Sequence, residues 1–159
     1  MNLFGLNAVL AFMWAFLTGS LTIPSLGIGF VFGYAALWLI QPLLGGPNPY
    51  FRKVYYWLRL IVMFHYELIV SSLAVVWDVI TPQQLSRPGL VHMPLDVTSD
   101  TGIFLVTNLI SLTPGTLSLD VSEDRKTLIV HAMFADDPVA VCRTLKSGME
   151  RWVKEAVES

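Results

Sequence analysis

Glu67 is the first carboxylate in the chain, and few of the groups around it have the type and spacing that chemistry would need. His65 lies two positions earlier, but residues two apart on a helix project to different sides, so the two make a poor metal pair. Glu67 therefore reads in one of two ways. It is a solvated member of a polar helix face, or it is an ion-path or subunit-contact carboxylate at membrane depth. His92 and His131 each fall in a predicted strand, without a carboxylate or cysteine at ligand spacing. Cys142 falls on the apolar side of a predicted helix, which suits a structural thiol better than a nucleophile. Asp136 and Asp137 precede Pro138 and are read as a helix start rather than as an acid and base pair. No GxGxxG, Walker, HExxH or CxxC pattern is present. These residues call for no cofactor and no metal, and they do not support an enzyme.

The elements that must position these groups begin with an unusual stretch. Residues 1–51 contain no Asp, Glu, Lys, Arg or His, while all ten Lys and Arg and all twelve Asp and Glu lie from Arg52 onward. A soluble domain carries roughly a quarter charged residues, so this third of the chain requires a solvent that does not hydrate charge, the bilayer. The apolar runs 3–17 and 26–44 are separated by 18–24, where Gly19 and Pro24 disfavour helix continuation. They predict a transmembrane helical hairpin over 1–50, each arm at the lower end of what crosses a hydrocarbon core of about 30 Å. Gly29 and Gly33 have the small-xxx-small spacing that lets another helix approach closely, and Gly27 lies nearby. Trp14 and Trp38 read equally as interfacial anchors or as packing residues. A secretory signal needs a basic region before its apolar core. None is present, so both arms are expected to be retained.

Gly45 to Pro49 breaks the second arm, and Arg52 and Lys53 follow. Flanking basic residues favour the cytoplasmic side, which places the N-terminus there too. The segment 51–80 predicts one long helix. At 100° per residue, Arg52, Lys53, Arg59, Glu67, Ser71 and Asp78 share about a third of its circumference, and Tyr55, Trp57, Leu58, Ile61, Val62, Leu68, Ile69, Val76 and Ile80 lie opposite. Such a helix fits the membrane interface, in plane. A third span over 54–77 is the alternative; it would bury Arg59, His65 and Glu67, at about 2.5 kcal/mol or more for a charge near the centre, and put the whole C-terminal part outside. The basic residues at its start and Asp78 near its end oppose the helix dipole, so these charges are expected to serve head groups or protein partners.

A polar, proline-containing linker over 81–89 leads to a small domain, 90–159. A strand over 90–97 is expected, then a helix over 102–112 capped by Ser99 or Asp100. A turn over 113–116 opens a hairpin of strands 117–121 and 127–133. A last helix begins at Pro138, with Val139, Val141, Cys142, Leu145, Met149, Trp152, Val153 and Val157 inward and Arg143, Lys146, Arg151, Lys154 and Glu155 solvated. The fold class is thus an integral membrane helical hairpin plus a long amphipathic helix, followed by a small α+β domain of β-α-β-β-α order. Composition narrows the partners. A mean hydropathy of +0.60 and 54% hydrophobic residues fit a membrane unit with one small domain. The net charge of -2 argues against nucleic acid. The single cysteine excludes an intramolecular disulfide.

The segment Ile110-Ser-Leu-Thr-Pro-Gly-Thr-Leu-Ser-Leu-Asp-Val121, with Leu128-Ile-Val-His-Ala132 and the Asp136, Asp137, Pro138 helix start, resembles the E subunit of multisubunit Mrp-type sodium/proton antiporters. The apolar N-terminal part and the aromatic and basic run 55–59 extend the resemblance over essentially the whole chain. It implies a bacterial plasma-membrane complex in which larger subunits carry the ion paths and this chain is an accessory piece among other subunits and lipid. It transfers no ion-binding residue. The alternative reading of the same residues is a membrane-tethered cytoplasmic ligand-binding or regulatory module.

Overall fold

The computed structural model describes residues 2–44, 48–82 and 85–158. The chain divides into two compact units, Met1–Val54 and Tyr55–Ser159. In the first, α1 (Leu3–Leu17) and α2 (Ile23–Ile40, then a 3₁₀ turn Gln41–Leu44) form an antiparallel hairpin. Asn2 caps α1, its side chain accepting the Gly5 N–H. Gly19 turns the chain with φ of 65°, a conformation that costs a glycine little. The second arm starts three residues earlier than the apolar run suggests. Thr22 caps it through the Ser25 N–H, and Pro24 sits inside its first turn, where the missing N–H costs nothing, rather than in the loop. The break expected at 45–49 lies partly outside the described residues. Pro49 is already the first residue of α3 (Pro49–Ile80), and the division between the units falls within that helix.

The second unit is built on an antiparallel sheet of β1 (Gly89–Pro94), β2 (Thr116–Val121) and β3 (Thr127–Ala132) in the order β1-β3-β2. Gly89 faces Ala132 on one side of β3, Thr116 faces it on the other, and β2 carries an irregularity between Ser118 and Asp120. The first strand ends at Pro94, not at 97, because Pro94 cannot donate and the chain then turns toward α4 (Asp100–Leu112). Ser99 caps α4 through the Gly102 N–H. The predicted last helix is three pieces: α5 (Pro138–Leu145), a π-helical turn (Lys146–Glu150) and α6 (Arg151–Val157). The core joins Met93, Leu128 and Val130 of the sheet to Val106 and Ile110 of α4 and to Met149 and Val153 beyond α5. Leu60 of α3 enters the same cluster, with Tyr56 and Phe64 packed beside it.

Candidate assembly site

The hairpin is held by a seam of very close approach. A methyl group added to Gly29 would lie 2.7 Å from Trp14 Cβ and 2.9 Å from the Ala11 carbonyl oxygen, and one added to Gly33 would lie 2.2 Å from Asn7 Oδ1. The neighbour at these two glycines is therefore α1 of the same hairpin. Gly27, by contrast, faces open space. Asn7 is fully buried and donates through Nδ2 to Tyr50 Oη at 2.8 Å, while its Oδ1 accepts no hydrogen bond and lies against Gly33. An amide in an apolar seam is costly unless bonded, so the Tyr50 hydroxyl fastens the seam as well as filling it. Aromatic rings close this end: Phe4, Tyr34 and Phe51 all lie with Tyr50 at centroid separations of 5.2–6.4 Å or with one another. Trp14 stacks on Phe32 at 4.9 Å, whereas Trp38 is exposed.

The two faces of α3 are arranged opposite to those of a helix in a water-soluble protein. Leu58, Ile61, Val62, Ile69, Val76 and Ile80 are 50–65% exposed. The covered positions follow the polar stripe, and the structure corrects what that stripe does. Arg59 does not reach out to a head group; its guanidinium pairs with Glu155 of α6 at 2.5 Å, in a pair that also takes Arg151. Asp78 is 4% exposed, and its Oδ1 accepts the N–H groups of Leu85 at 2.6 Å and Ser86 at 2.9 Å. It pins the returning linker, of which Gln83 and Gln84 lie outside the described residues. Of the charges that run against the helix dipole, Asp78 is thus satisfied by its own linker rather than by a head group or a partner. Arg52 and Lys53, at the start of α3, are exposed.

Between these two partnered charges, Glu67 is half-covered and opens on a cavity of about 290 Å³. Ser71, Thr113, Thr116 and Thr144 line it with hydroxyls, and Val141, Leu145 and Met149 with apolar surface. Glu67 makes no hydrogen bond or ion pair among the described residues, and His65, its neighbour in sequence, bonds the Ile61 carbonyl instead. His92, His131 and Cys142 gather no metal set: among the described residues no three of His, Cys, Asp and Glu come together. Cys142 is half-buried against the core.

The sequence reading missed one further cluster. Glu150 is 1% exposed, and its Oε1 accepts the Asp96 and Val97 N–H groups, while Oε2 takes no hydrogen bond and sits 3.5 Å from Lys146 Nζ. Lys146, expected in solvent, also donates to the Pro94 carbonyl at 2.6 Å and pairs with Asp96 at 2.9 Å, and Lys154 donates to the Asp96 carbonyl. Glu158 accepts the Thr98 and Ser99 N–H groups, both at 2.8 Å. Four side chains spaced by four residues thus clamp the 94–99 loop, and the first two of them, Lys146 and Glu150, are the ends of the π turn. Burial works against the Lys146 ammonium, yet its hydrogen bond to Asp96 and the charges of Glu150 and Asp96 hold its pKa above the ordinary lysine value. Burial would likewise raise Glu158, but the Ser99 and Thr98 N–H groups hold it below the ordinary glutamate value. A visible signal existed: Glu150 interrupts a stripe that continues through Val153 and Val157, and a carboxylate there needs partners.

Sequence relatives match nearly the whole chain. Residues 7–156 match the family MNHE, described as Na+/H+ ion antiporter subunit. The Na(+)/H(+) antiporter subunit E1 of Staphylococcus haemolyticus is 37% identical over 153 residues, 96% of each chain. That of Staphylococcus aureus is 34% identical over the same share. A chain in the structure of the Mrp complex from Dietzia sp. superposes with a TM-score of 0.50 at 28% identity, over 61% of this chain and 91% of that one. A family match that runs from the first helix to the last places the assignment beyond the shared segment around Thr113, and the chain belongs to the Na+/H+ ion antiporter subunit family.

Proposed function

We propose that this chain is an accessory, structural subunit of a multisubunit monovalent cation (Na+)/proton antiporter of the bacterial plasma membrane, where it supports assembly and stability. Its hairpin crosses the bilayer and α3 lies in the cytoplasmic boundary. Its C-terminal domain is cytoplasmic, with the other subunits and lipid as partners. The relatives named above are antiporter subunits, which supports membership of such a complex. The polar inventory supports the accessory role: among the described residues of the charge-free hairpin, the buried polar side chains are Asn7 and Ser25, too few for a proton relay.

The observation that carries the placement of α3 is its inverted amphipathicity. By length and apolarity alone, Pro49–Ile80 could cross a membrane. Its covered stripe, however, runs from Leu60 to Asp78 against its own domain, a rise of about 27 Å and so nearly the whole hydrocarbon thickness. A spanning α3 would carry that domain into lipid with its exposed Arg125, Lys126, Asp124 and Arg143, at about 2.5–3.5 kcal/mol for each charge near the centre. Lying in plane, α3 keeps the domain in water and gives the bilayer only its apolar stripe. The test is thiol labelling in the loop between β2 and β3, by Glu123→Cys in a Cys142→Ser background. Protection from an impermeant reagent in intact cells, lost on permeabilisation, is expected. Ready labelling of intact cells would overturn the cytoplasmic placement and make α3 a third span.

A further inference from the structure

We propose that the Glu67 cavity is a socket for one basic side chain, an arginine or lysine, of another subunit in the complex. The inference rests on the antiporter-subunit reading above and names the partner chemistry at one of its contacts. Its basis is the donor and acceptor balance of the cavity. Three of the four lining hydroxyls have already committed their protons: Thr113 donates to the Leu109 carbonyl at 2.9 Å, Thr116 to Ile110 at 2.6 Å and Thr144 to Ala140 at 3.1 Å. What they present to the cavity is therefore lone pairs. Glu67 adds an anion that nothing among the described residues neutralises, although Arg59 and Asp78 on the same stripe are both partnered. An acceptor-lined, anionic site accepts a donor-rich cation.

The walls choose between cations. Val141, Leu145 and Met149 give the cavity an apolar flank that a bare alkali ion leaves unused, since such an ion seeks oxygen on all sides. An arginine or lysine buries its methylene stem along such surface while its head meets the carboxylate. The volume of about 290 Å³ is at the lower limit of small-molecule pockets and admits one long side chain rather than a cofactor.

The experiment uses the full chain, affinity-tagged and co-expressed with the other subunits, and reads how much of them it retains through a high-salt wash of the solubilised membrane. Glu67→Gln keeps the shape and removes the charge, and is expected to weaken retention about tenfold or more, as loss of a charge-assisted contact does. Glu67→Asp should retain an intermediate amount. Ala140→Leu, which keeps Glu67 and fills the wall, should lose retention as Glu67→Gln does, and it serves as the second variant if the first accumulates poorly. Full retention by both variants overturns the socket. So does unchanged retention accompanied by a shifted sodium dependence of antiport, which would make the occupant a free ion. If the unaltered chain retains no other subunit, the subunit reading itself fails, and that result is distinguishable from either of the others.

Discussion

The hairpin seam allows a graded test with one methyl group. Gly27→Ala, Gly29→Ala and Gly33→Ala make the same chemical change within one helix, so each gains the same helix propensity, about 1 kcal/mol relative to glycine. That shared gain cancels when the variants are compared with one another, and what remains is the contact each methyl group meets. At Gly27 it meets nothing within 4 Å. At Gly29 it meets Ala11 backbone at 2.9 and 3.0 Å, and backbone cannot rotate away, so the helices must separate. Overpacking of this kind costs about 1–3 kcal/mol. At Gly33 it meets the Asn7 amide, the mobile end of a side chain, at 2.2 Å, and the cost there is the Asn7–Tyr50 hydrogen bond, about 1 kcal/mol net. The expected order of damage is Gly29 worst, Gly33 intermediate and Gly27 none. Ser25→Cys in a Cys142→Ser background reports seam opening, because Ser25 is 8% exposed and the exchange is nearly isosteric. The labelling rate of the introduced thiol should rise about 5- to 150-fold for Gly29→Ala over Gly27→Ala, the factor that 1–3 kcal/mol of overpacking sets. Equal rates for those two variants would refute the close-approach reasoning.

Three further outcomes follow from carboxylates that accept backbone N–H groups. Asp78→Ala removes the acceptor for two linker N–H groups and should destabilise the α3 return by about 2–3 kcal/mol; hydrogen exchange at the Leu85 and Ser86 amides should speed up, and unchanged protection would contradict the pinning role. Glu150→Ala leaves the Asp96 and Val97 N–H groups unpaired and Lys146 short of a counter-charge, and a loss of about 2–4 kcal/mol is expected in denaturant unfolding of the full chain, with Glu150→Gln milder because it keeps an acceptor. Glu158 has its folded pKa lowered, so its contribution is complete above the ordinary glutamate pKa and is lost as pH falls through the lowered value. Protection of the Thr98 and Ser99 amides, corrected for intrinsic exchange, should therefore drop in that acidic window. In Glu158→Gln, which keeps an acceptor but cannot titrate, protection should be weaker at neutral pH and flat across that window; an identical pH profile in the variant would dismiss the linkage.

How much of this was legible depended on the range of the interaction. The hairpin arms, the long helix and the succession of elements in the small domain followed from charge exclusion and periodicity, which are local, whereas the β1-β3-β2 order of the sheet did not. Gly29 and Gly33 could be marked by spacing, but not that α1 fills them, because that depends on how the turn at Gly19 folds the arms together. The stripe of α3 was visible, yet its destination was not: Arg59 finds Glu155 at a sequence separation of 96, and nothing near Arg59 announces it. Asp78 acts seven and eight residues away, across a linker whose path no periodicity encodes. The π turn and the clamp on the 94–99 loop were hidden for the same reason, although Glu150 in an otherwise apolar stripe was a sign that could have been read. Glu67 stood out as the first carboxylate, and only the surrounding hydroxyls gave its setting a chemistry.

The proposed placement of α3 in the membrane plane, with its apolar stripe toward lipid, has a direct test in depth measurements along that stripe. Leu58, Ile69 and Val76 share one side of the helix and are 58%, 60% and 54% exposed. Nitroxide labels placed at these positions one at a time, in the Cys142→Ser chain within its complex in lipid bilayers, report depth through collisions with oxygen against a polar nickel chelate. Equal, shallow depths at the three positions are predicted. A central label markedly deeper than the outer two would contradict the account and establish α3 as a transmembrane helix.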